Sequence, residues 1–244
     1  GNGGTSGSLT GDVVNNGVLV VERSDQVLLN GTISGTGAFV QNGGGQTVLS
    51  GNNSYTGLTQ VLAGSLFVNG NQSAAIGNTF VATGATLGGT GTLGGSAFVA
   101  GTLSPGDTTG APGTLTINGD LTLGNTATLS YNFGQAGTVG GPLNDLTIVK
   151  GNLTLDGTLN VATPPGGSSA PGVYRVISYD GALTNNGLTI GTIPSPSFSL
   201  QTAIDKQVNL VNTAGLTLNF WDGATVAGKN NGTVDGGNGT WQNS

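Results

Sequence analysis

Glycine recurs too often along this chain for a helix to form between one glycine and the next. It supplies 48 of the 244 residues, nearly three times an ordinary share of roughly 7%. Each interior glycine costs a helix about 1 kcal/mol relative to alanine. What lies between the glycines is short and strand-like. Val18-Leu19-Val20-Val21, Ala38-Phe39-Val40, Leu66-Phe67-Val68, Leu121-Thr122-Leu123, Leu153-Thr154-Leu155 and Val208-Asn209-Leu210-Val211 are runs of β-branched, leucine or aromatic residues bounded by turn formers. The triplet Gly-[Thr/Ser/Val]-[Leu/Ile] starts at 7, 17, 31, 64, 91, 101, 113, 157 and 191. A glycine corner followed by one polar and one apolar residue suits a strand that enters a core just after a bend. A unit this short cannot bury a face by itself and must stack on copies of itself, which is the logic of a solenoid.

The charges narrow the fold and the chemistry together. Lys and Arg number 5, Asp and Glu 11, and His, Cys and Met are missing. No charge occurs between Gln26 and Gly106. Without Cys or His there is no disulfide, thiolate metal site, thiol nucleophile or histidine base. Five positive charges on a net −6 chain argue against nucleic acid as a partner, because that affinity comes from neutralised phosphates. Hydrophobic residues make up 35%, too many for a disordered chain, and glycine lacks the strict three-residue register of collagen.

An antiparallel sandwich would need Lys, Glu and Arg for its exposed sheet faces. A parallel β-helix can cover its outside with ladders of Thr, Ser and Asn, and the chain holds 34 Thr and 25 Asn. The expected fold is therefore all-β: a parallel β-helix of short strands. At about 20 residues per coil and about 4.8 Å per coil, it makes a rod on the order of 60 Å long. Without a Met, the chain is expected to be a processed product or a fragment.

Residues 39–70 sharpen this reading. Gly45, then Leu49 with Gly51, Asn52 and Asn53, then Tyr55 and Gly57, then Thr59, and finally Ala63, Gly64 and Leu66 resemble the passenger-associated repeat of bacterial autotransporters. Leu103 to Gly106, Gly113 to Leu123, Asn144-Asp145-Leu146 with Gly151 to Val161, and Gly172 to Ile177 are similar to other stretches of such passengers. The resemblance implies a right-handed parallel β-helix (β-solenoid), with coils over 1–162 that include the repeat at 39–70. A Pro/Gly/Ser loop follows at 163–172, and coils of the same domain continue over 173–244. It also implies type V secretion to the Gram-negative cell surface, with an outer-membrane translocator barrel of the same polypeptide as partner. The function expected is a β-helical stem that aids secretion and folding and presents or forms an adhesive surface. Two alternatives stand beside it. One is an adhesin segment that binds host glycans or associates with itself between cells. The other is a polysaccharide lyase or hydrolase.

The motifs that hint at other chemistry read as structure. Gly89 to Gly94 fits a dinucleotide fingerprint, but no helix follows it. Gly223 to Asn230 approaches a phosphate loop, with Asn230 standing where Ser or Thr would hold Mg²⁺. A carboxylate enzyme needs two acids on one face. Of Asp12, Glu22, Asp25, Asp107, Asp120, Asp145, Asp156, Asp180, Asp205, Asp222 and Asp235, only Glu22 and Asp25 lie close in sequence. No catalytic residue, metal site or cofactor is therefore expected. Phe39, Tyr55, Phe67, Phe80 and Phe98 are expected to stack ring over ring inside the rod. Trp221 and Trp241 suit either a coil end or a sugar.

Overall fold

The computed structural model describes residues 3–7 and 9–215. Trp221, Trp241 and the 223–230 segment lie outside the described residues. Each coil runs through three short faces. The first coil is β1 (Val13–Val14), β2 (Val18–Val21) and β3 (Gln26–Leu29), and the second is β4 (Ile33–Ser34), β5 (Ala38–Gln41) and β6 (Gln46–Leu49). The third has strands on two faces only, β7 (Thr59–Val61) and β8 (Ser65–Val68). The fourth is β9 (Asn71–Gln72), β10 (Thr79–Val81) and β11 (Thr86–Gly89), and the fifth is β12 (Thr92–Leu93), β13 (Ala97–Val99) and β14 (Thr102–Pro105). The sixth is β15 (Thr114–Ile117), β16 (Leu121–Leu123) and β17 (Thr128–Asn132). The seventh is β18 (Leu146–Val149), β19 (Leu153–Leu155) and β20 (Thr158–Ala162), and the eighth is β21 (Gly172–Tyr179), β22 (Leu183–Asn185) and β23 (Thr189–Ile190). Two further strands, β24 (Phe198–Gln201) and β25 (Gln207–Asn212), close the described part.

Every pairing from β1 to β23 is parallel, and the second and third faces are each sheets of 8 strands. Parallel crossovers of this kind are right-handed, so the chain forms the expected right-handed parallel β-helix. In the early coils the register pairs residues 20 apart, Phe39 with Thr59 and Thr59 with Thr79.

Alternation along each strand sends one row of side chains inward from each face. On the third face Leu66, Leu87, Leu103, Leu129 and Leu159 stack in register, all fully buried. On the second face Val61, Val81, Val99 and Leu123 do the same. Leu93, Ile117, Val149 and Tyr179 complete the core from the first face.

The corners explain the glycines. A Cβ on Gly51 would lie 2.2 Å from the Gly31 carbonyl oxygen, one on Gly70 2.3 Å from that of Gly51, and one on Gly91 2.2 Å from that of Gly70. The backbone of one coil occupies the space a side chain on the next would need. Asn and Asp beside the corners tie the coils together. The Asn69 Oδ1 accepts the N–H of Thr90, the Asp120 Oδ1 that of Asn152, the Asn152 Oδ1 that of Ala182 and the Asn160 Oδ1 that of Thr192.

The outside carries the expected threonine ladder on the third face, where Thr86, Thr102, Thr128, Thr158 and Thr189 follow one another. Other Thr and Asn residues go inside instead, among them Thr47, Thr59, Thr79 and Asn53.

From the fifth coil onward the coils lengthen, always between the third face and the first. Residues 106–113, 133–145 and 163–171 are the added loops, so the Pro/Gly/Ser loop is one of three that share a corner. After β23 the stacking changes. β25 pairs antiparallel with β21, and β24 antiparallel with β25, which adds a hairpin-like cover at the open edge of the first-face sheet. Residues 216–244 of the expected last coils lie outside the described residues.

The aromatic stack departs from expectation. Phe39 and Tyr55 are buried together with ring centroids 6.3 Å apart. Phe80 and Phe98 instead face solvent, 6.5 Å apart. They occupy outward positions, because Thr79, Val81, Ala97 and Val99 on either side of them point inward. The longest interior aromatic series runs through Tyr131, Phe133, Tyr174 and Phe198, with centroids 5.9, 5.5 and 5.9 Å apart.

Candidate functional site

The repeat residues occupy the second and third coils. Leu49 and Leu66 are fully buried at inward positions of β6 and β8. Gly51, Gly57 and Gly64 sit under carbonyls of the preceding coil, with a built Cβ 2.2–2.3 Å from the oxygens of Gly31, Gly37 and Gly45. Gly64 also has φ +61°. Gly45 donates its N–H to Arg23 and accepts one from Ser65. Asn52, on the outside, accepts the N–H of Asn71, while Ala63 is half-buried at the β7–β8 turn.

The interior of these coils is partly polar, with Gln41, Thr47, Asn53 and Thr59 buried among the apolar side chains. Gln41 is fully buried at the end of β5. Its Nε2 donates to the Gly43 carbonyl at 2.7 Å, and its Oε1 accepts from the buried Thr47 hydroxyl at 2.6 Å. The Tyr55 hydroxyl shares a 2.7 Å hydrogen bond with the buried Thr59 hydroxyl. Burial pushes the Tyr55 phenol up to about 12, outweighing the Thr59 contact that lowers it, so it stays neutral. Asn53 substitutes for a strand on the first face: its Oδ1 accepts the N–H of Ile33 at 2.6 Å from the coil below. Gln72, one coil on, donates its Nε2 to the Gly51 carbonyl at 3.1 Å. A hint was available in sequence, since Gln41 and Thr47 stand where the later coils carry Leu or Val.

Two atoms here lack partners among the described residues, the Asn53 Nδ2 and the Gln72 Oε1. One is a donor and the other an acceptor. Asn53→Ala removes the acceptor of the Ile33 N–H and strands a buried amide. Stability should fall by about 1–3 kcal/mol, measured by urea denaturation, whereas Asn52→Ala, on the outside, should cost far less.

The acids are dispersed. Arg23 binds Asp25 through two nitrogens at 2.8 and 2.7 Å and also reaches the carbonyls of Thr5 and Gly7. That hydrogen bond holds the Asp25 carboxyl below the usual range. Glu22 accepts from the Asn42 amide. Asp107 closes its own turn through Thr109 and Ala111. Lys150 pairs with Asp180 at 3.3 Å, and Lys206 with Asp205 at 3.8 Å. Asp145 is fully buried at the corner where the loops sit. Its Oδ1 accepts the N–H of Gly113 at 2.8 Å, and its Oδ2 that of Asn132 at 2.6 Å. Asn144, beside it, accepts the N–H groups of Gly134 and Gln135 and donates to the carbonyls of Gln135 and Thr138. Among the described residues no three His, Cys, Asp or Glu side chains gather to hold a metal.

The passenger-associated-transport-repeat family matches residues 39–67, the second and third coils. A parallel β-helix that carries this repeat defines the chain as a segment of an autotransporter passenger. Over 239 residues it is 53% identical to the adhesin BmaC autotransporter of Brucella suis biovar 1 (strain 1330). That similarity takes in 97% of this chain and 7% of the relative, so the chain spans a small part of the protein it matches.

Proposed function

We propose that this segment is a β-helical stem of a surface-displayed passenger. It is secreted across the outer membrane of a Gram-negative cell, and its repeat coils template the folding of the coils that follow. A translocator barrel elsewhere in the same polypeptide is its partner in that step. The observation that carries this reading is the interior of the repeat coils. Asn53 accepts the N–H of Ile33 from the coil below, and Gln72 of the next coil donates to the Gly51 carbonyl, so these two amides fix which residue of one coil lies over which residue of the next, while Gln41 and Tyr55 hold the shape of their own coils. A purely aliphatic core tolerates a slip that leaves apolar groups in place; a buried amide loses its partner. A coil with a defined register then offers an open strand edge, and each arriving coil satisfies its backbone groups on it. The segment acts without catalysis and needs no cofactor. The relative's name supports an adhesive role for the whole protein, which this stem serves by carrying or forming the adhesive surface.

Deletion of 39–58 in the full-length protein tests the templating role. The register puts Phe39 level with Thr59, so the deletion removes one coil and leaves the rest in phase. The matched control removes 79–96, because Thr79 lies level with Ala97. Surface display should drop several-fold or slow markedly in the first deletion and stay near wild type in the control. Equal behaviour of the two would sink the templating role.

A further inference from the structure

Asn-Gly occurs nine times in the chain, and this dipeptide can modify itself. The glycine nitrogen, with no Cβ beside it, can reach the side-chain carbonyl carbon of the asparagine before it. Two kinds of hydrogen bond oppose that attack in a folded chain. One ties up the glycine N–H, and the other holds the asparagine amide. Six of the nine pairs lie wholly among the described residues.

Four of the six are tied at both groups. The Gly17 N–H is donated to the Asn15 Oδ1 at 3.2 Å, and the Asn16 Oδ1 accepts the N–H of Thr36. The Gly43 N–H goes to the Val21 carbonyl, and the Asn42 amide donates to Glu22. The Gly70 N–H goes to the Leu49 carbonyl, and the Asn69 Oδ1 accepts the N–H of Thr90. The Gly119 N–H goes to the Gly95 carbonyl, and the Asn118 amide donates to the Ser73 hydroxyl. Asn186 is tied at one group, because Gly187 donates its N–H to the Asn185 Oδ1 at 3.1 Å. Asn30-Gly31 is tied at neither among the described residues. Asn30 is exposed, and with Gly31 it lines a surface pocket of about 340 Å³ beside Leu9, Thr10, Gly11 and Leu28. Water and hydroxide therefore reach this pair.

We propose that Asn30 is a site of spontaneous deamidation, selected by the fold from among the Asn-Gly corners. Hydroxide takes the proton of the Gly31 N–H, and the nitrogen attacks the side-chain carbonyl carbon of Asn30. The bond from that carbon to its own nitrogen breaks, and the departing group takes a proton from water and leaves as ammonia. Water then opens the five-membered imide at either carbonyl. One opening gives aspartate and the other isoaspartate. The net change is water in and ammonia out, with nothing oxidised or reduced.

The position gives the modification a consequence. Asn30 lies at the corner between β3 and β4, inside the stretch from Gln26 to Gly106 that has no charge. Either product places a carboxylate there. The isoaspartyl product also adds one carbon to the backbone of the corner. Gly31 packs on Gly11, with a built Cβ 2.1 Å from that carbonyl oxygen, and the Gly31 carbonyl in turn faces Gly51. A longer backbone cannot keep both contacts, so the modified corner should loosen the first two coils. The modification needs no partner and no secretion, so it stands apart from the templating role.

The 244-residue chain, held at pH 8.5 and 37 °C and then digested with pepsin in acid, tests this. Site-resolved mass spectrometry should find OH in place of NH2 at Asn30 first. Its rate should exceed those at Asn16, Asn42, Asn69 and Asn118 at least tenfold, since tied groups react only from locally opened states. Asn186 should fall between. In urea, where no pair is tied, the six rates should converge to within a few-fold. Asn185→Ala, which releases the Gly187 N–H on the exposed surface, should speed Asn186 several-fold and leave Asn30 unchanged. Amide exchange in β3 and β4 should be faster in aged wild type than in aged Asn30→Gln, whose longer side chain does not close the five-membered ring. Asn30 reacting no faster than the four doubly tied residues would overturn the proposal. An order of rates that persists in urea would overturn it too, since neighbouring sequence rather than the fold would then set it. Equal exchange in the two aged proteins would overturn the loosening of the coils.

Discussion

Phe133→Ala should lower stability by about 3–5 kcal/mol and should unfold the last coils before the first ones. Phe133 is buried, with its ring between those of Tyr131 and Tyr174, and Tyr174 in turn packs on Phe198. Those four rings join β17 in the sixth coil to β21 in the eighth and to β24 in the antiparallel cover. The loop of 133–145 and the cover therefore depend on one another through a single aromatic column. Truncation at its centre removes the area Phe133 buries and leaves a cavity that its rigid neighbours fill poorly.

The location of the loss matters as much as its size. Each coil of a solenoid contacts only its neighbours, so damage spreads through nearest-neighbour interfaces. Amide exchange should rise first in β21, β24 and β25 and leave 39–67 nearly as protected as in wild type. Phe39→Ala, which breaks the smaller Phe39–Tyr55 pair, should reverse that order. A cost under about 1 kcal/mol at Phe133, or equal loss of protection in all coils, would contradict the column as described.

The solenoid itself was legible because its cause is local. Glycine at short intervals forbids helix, and three-residue apolar runs between glycines can only stack. What glycine does at the corners was less legible. At Gly51 and Gly57 the need is space for the preceding coil's carbonyl rather than a positive φ, and no residue near them in sequence shows that. Alternation placed Leu66 and Val61 correctly, since each lies between outward neighbours on a short strand. Phe80 and Phe98 were expected inside and lie outside, because a lone aromatic in a three-residue strand fits either side until its neighbours are assigned. Composition put Thr and Asn outside as a class, yet Thr47, Thr59 and Asn53 are inside because Gln41, Tyr55 and the Ile33 N–H supply partners. Asn144 and Asp145 were noticed as part of a passenger-like stretch. Their role as clamps depends on Gly113 and Asn132, 32 and 13 residues away, meeting Asp145 at one corner, which no spacing along the chain encodes.

Asp145 gives the second large effect, and its sign is unusual for a carboxylate. Burial pushes its carboxyl up to about 7, against the N–H groups of Gly113 and Asn132 that pull it down. Among the described residues it forms no ion pair, and Tyr131, which stays neutral, is the titratable group near it. A folded value above the ordinary 3.8 means the native state prefers the neutral acid. The stability this group contributes is then fully present below about pH 4 and is lost as pH rises through about 7. Asp145→Ala leaves two buried N–H groups without acceptors, at a cost of about 2–6 kcal/mol in acid. At pH 8 the wild type carries a buried anion, so the cost of the substitution should shrink by about 3 kcal/mol relative to pH 4.5. Asp25 and Asp107, which the fold holds below the usual carboxylate range, pull the wild-type curve the other way at lower pH. They cancel in the difference between the two proteins. Urea titrations of wild type and variant at the two pH values measure that difference directly. A cost that is the same at both, or larger at pH 8, would mean the N–H groups of Gly113 and Asn132 outweigh burial and hold Asp145 as a carboxylate.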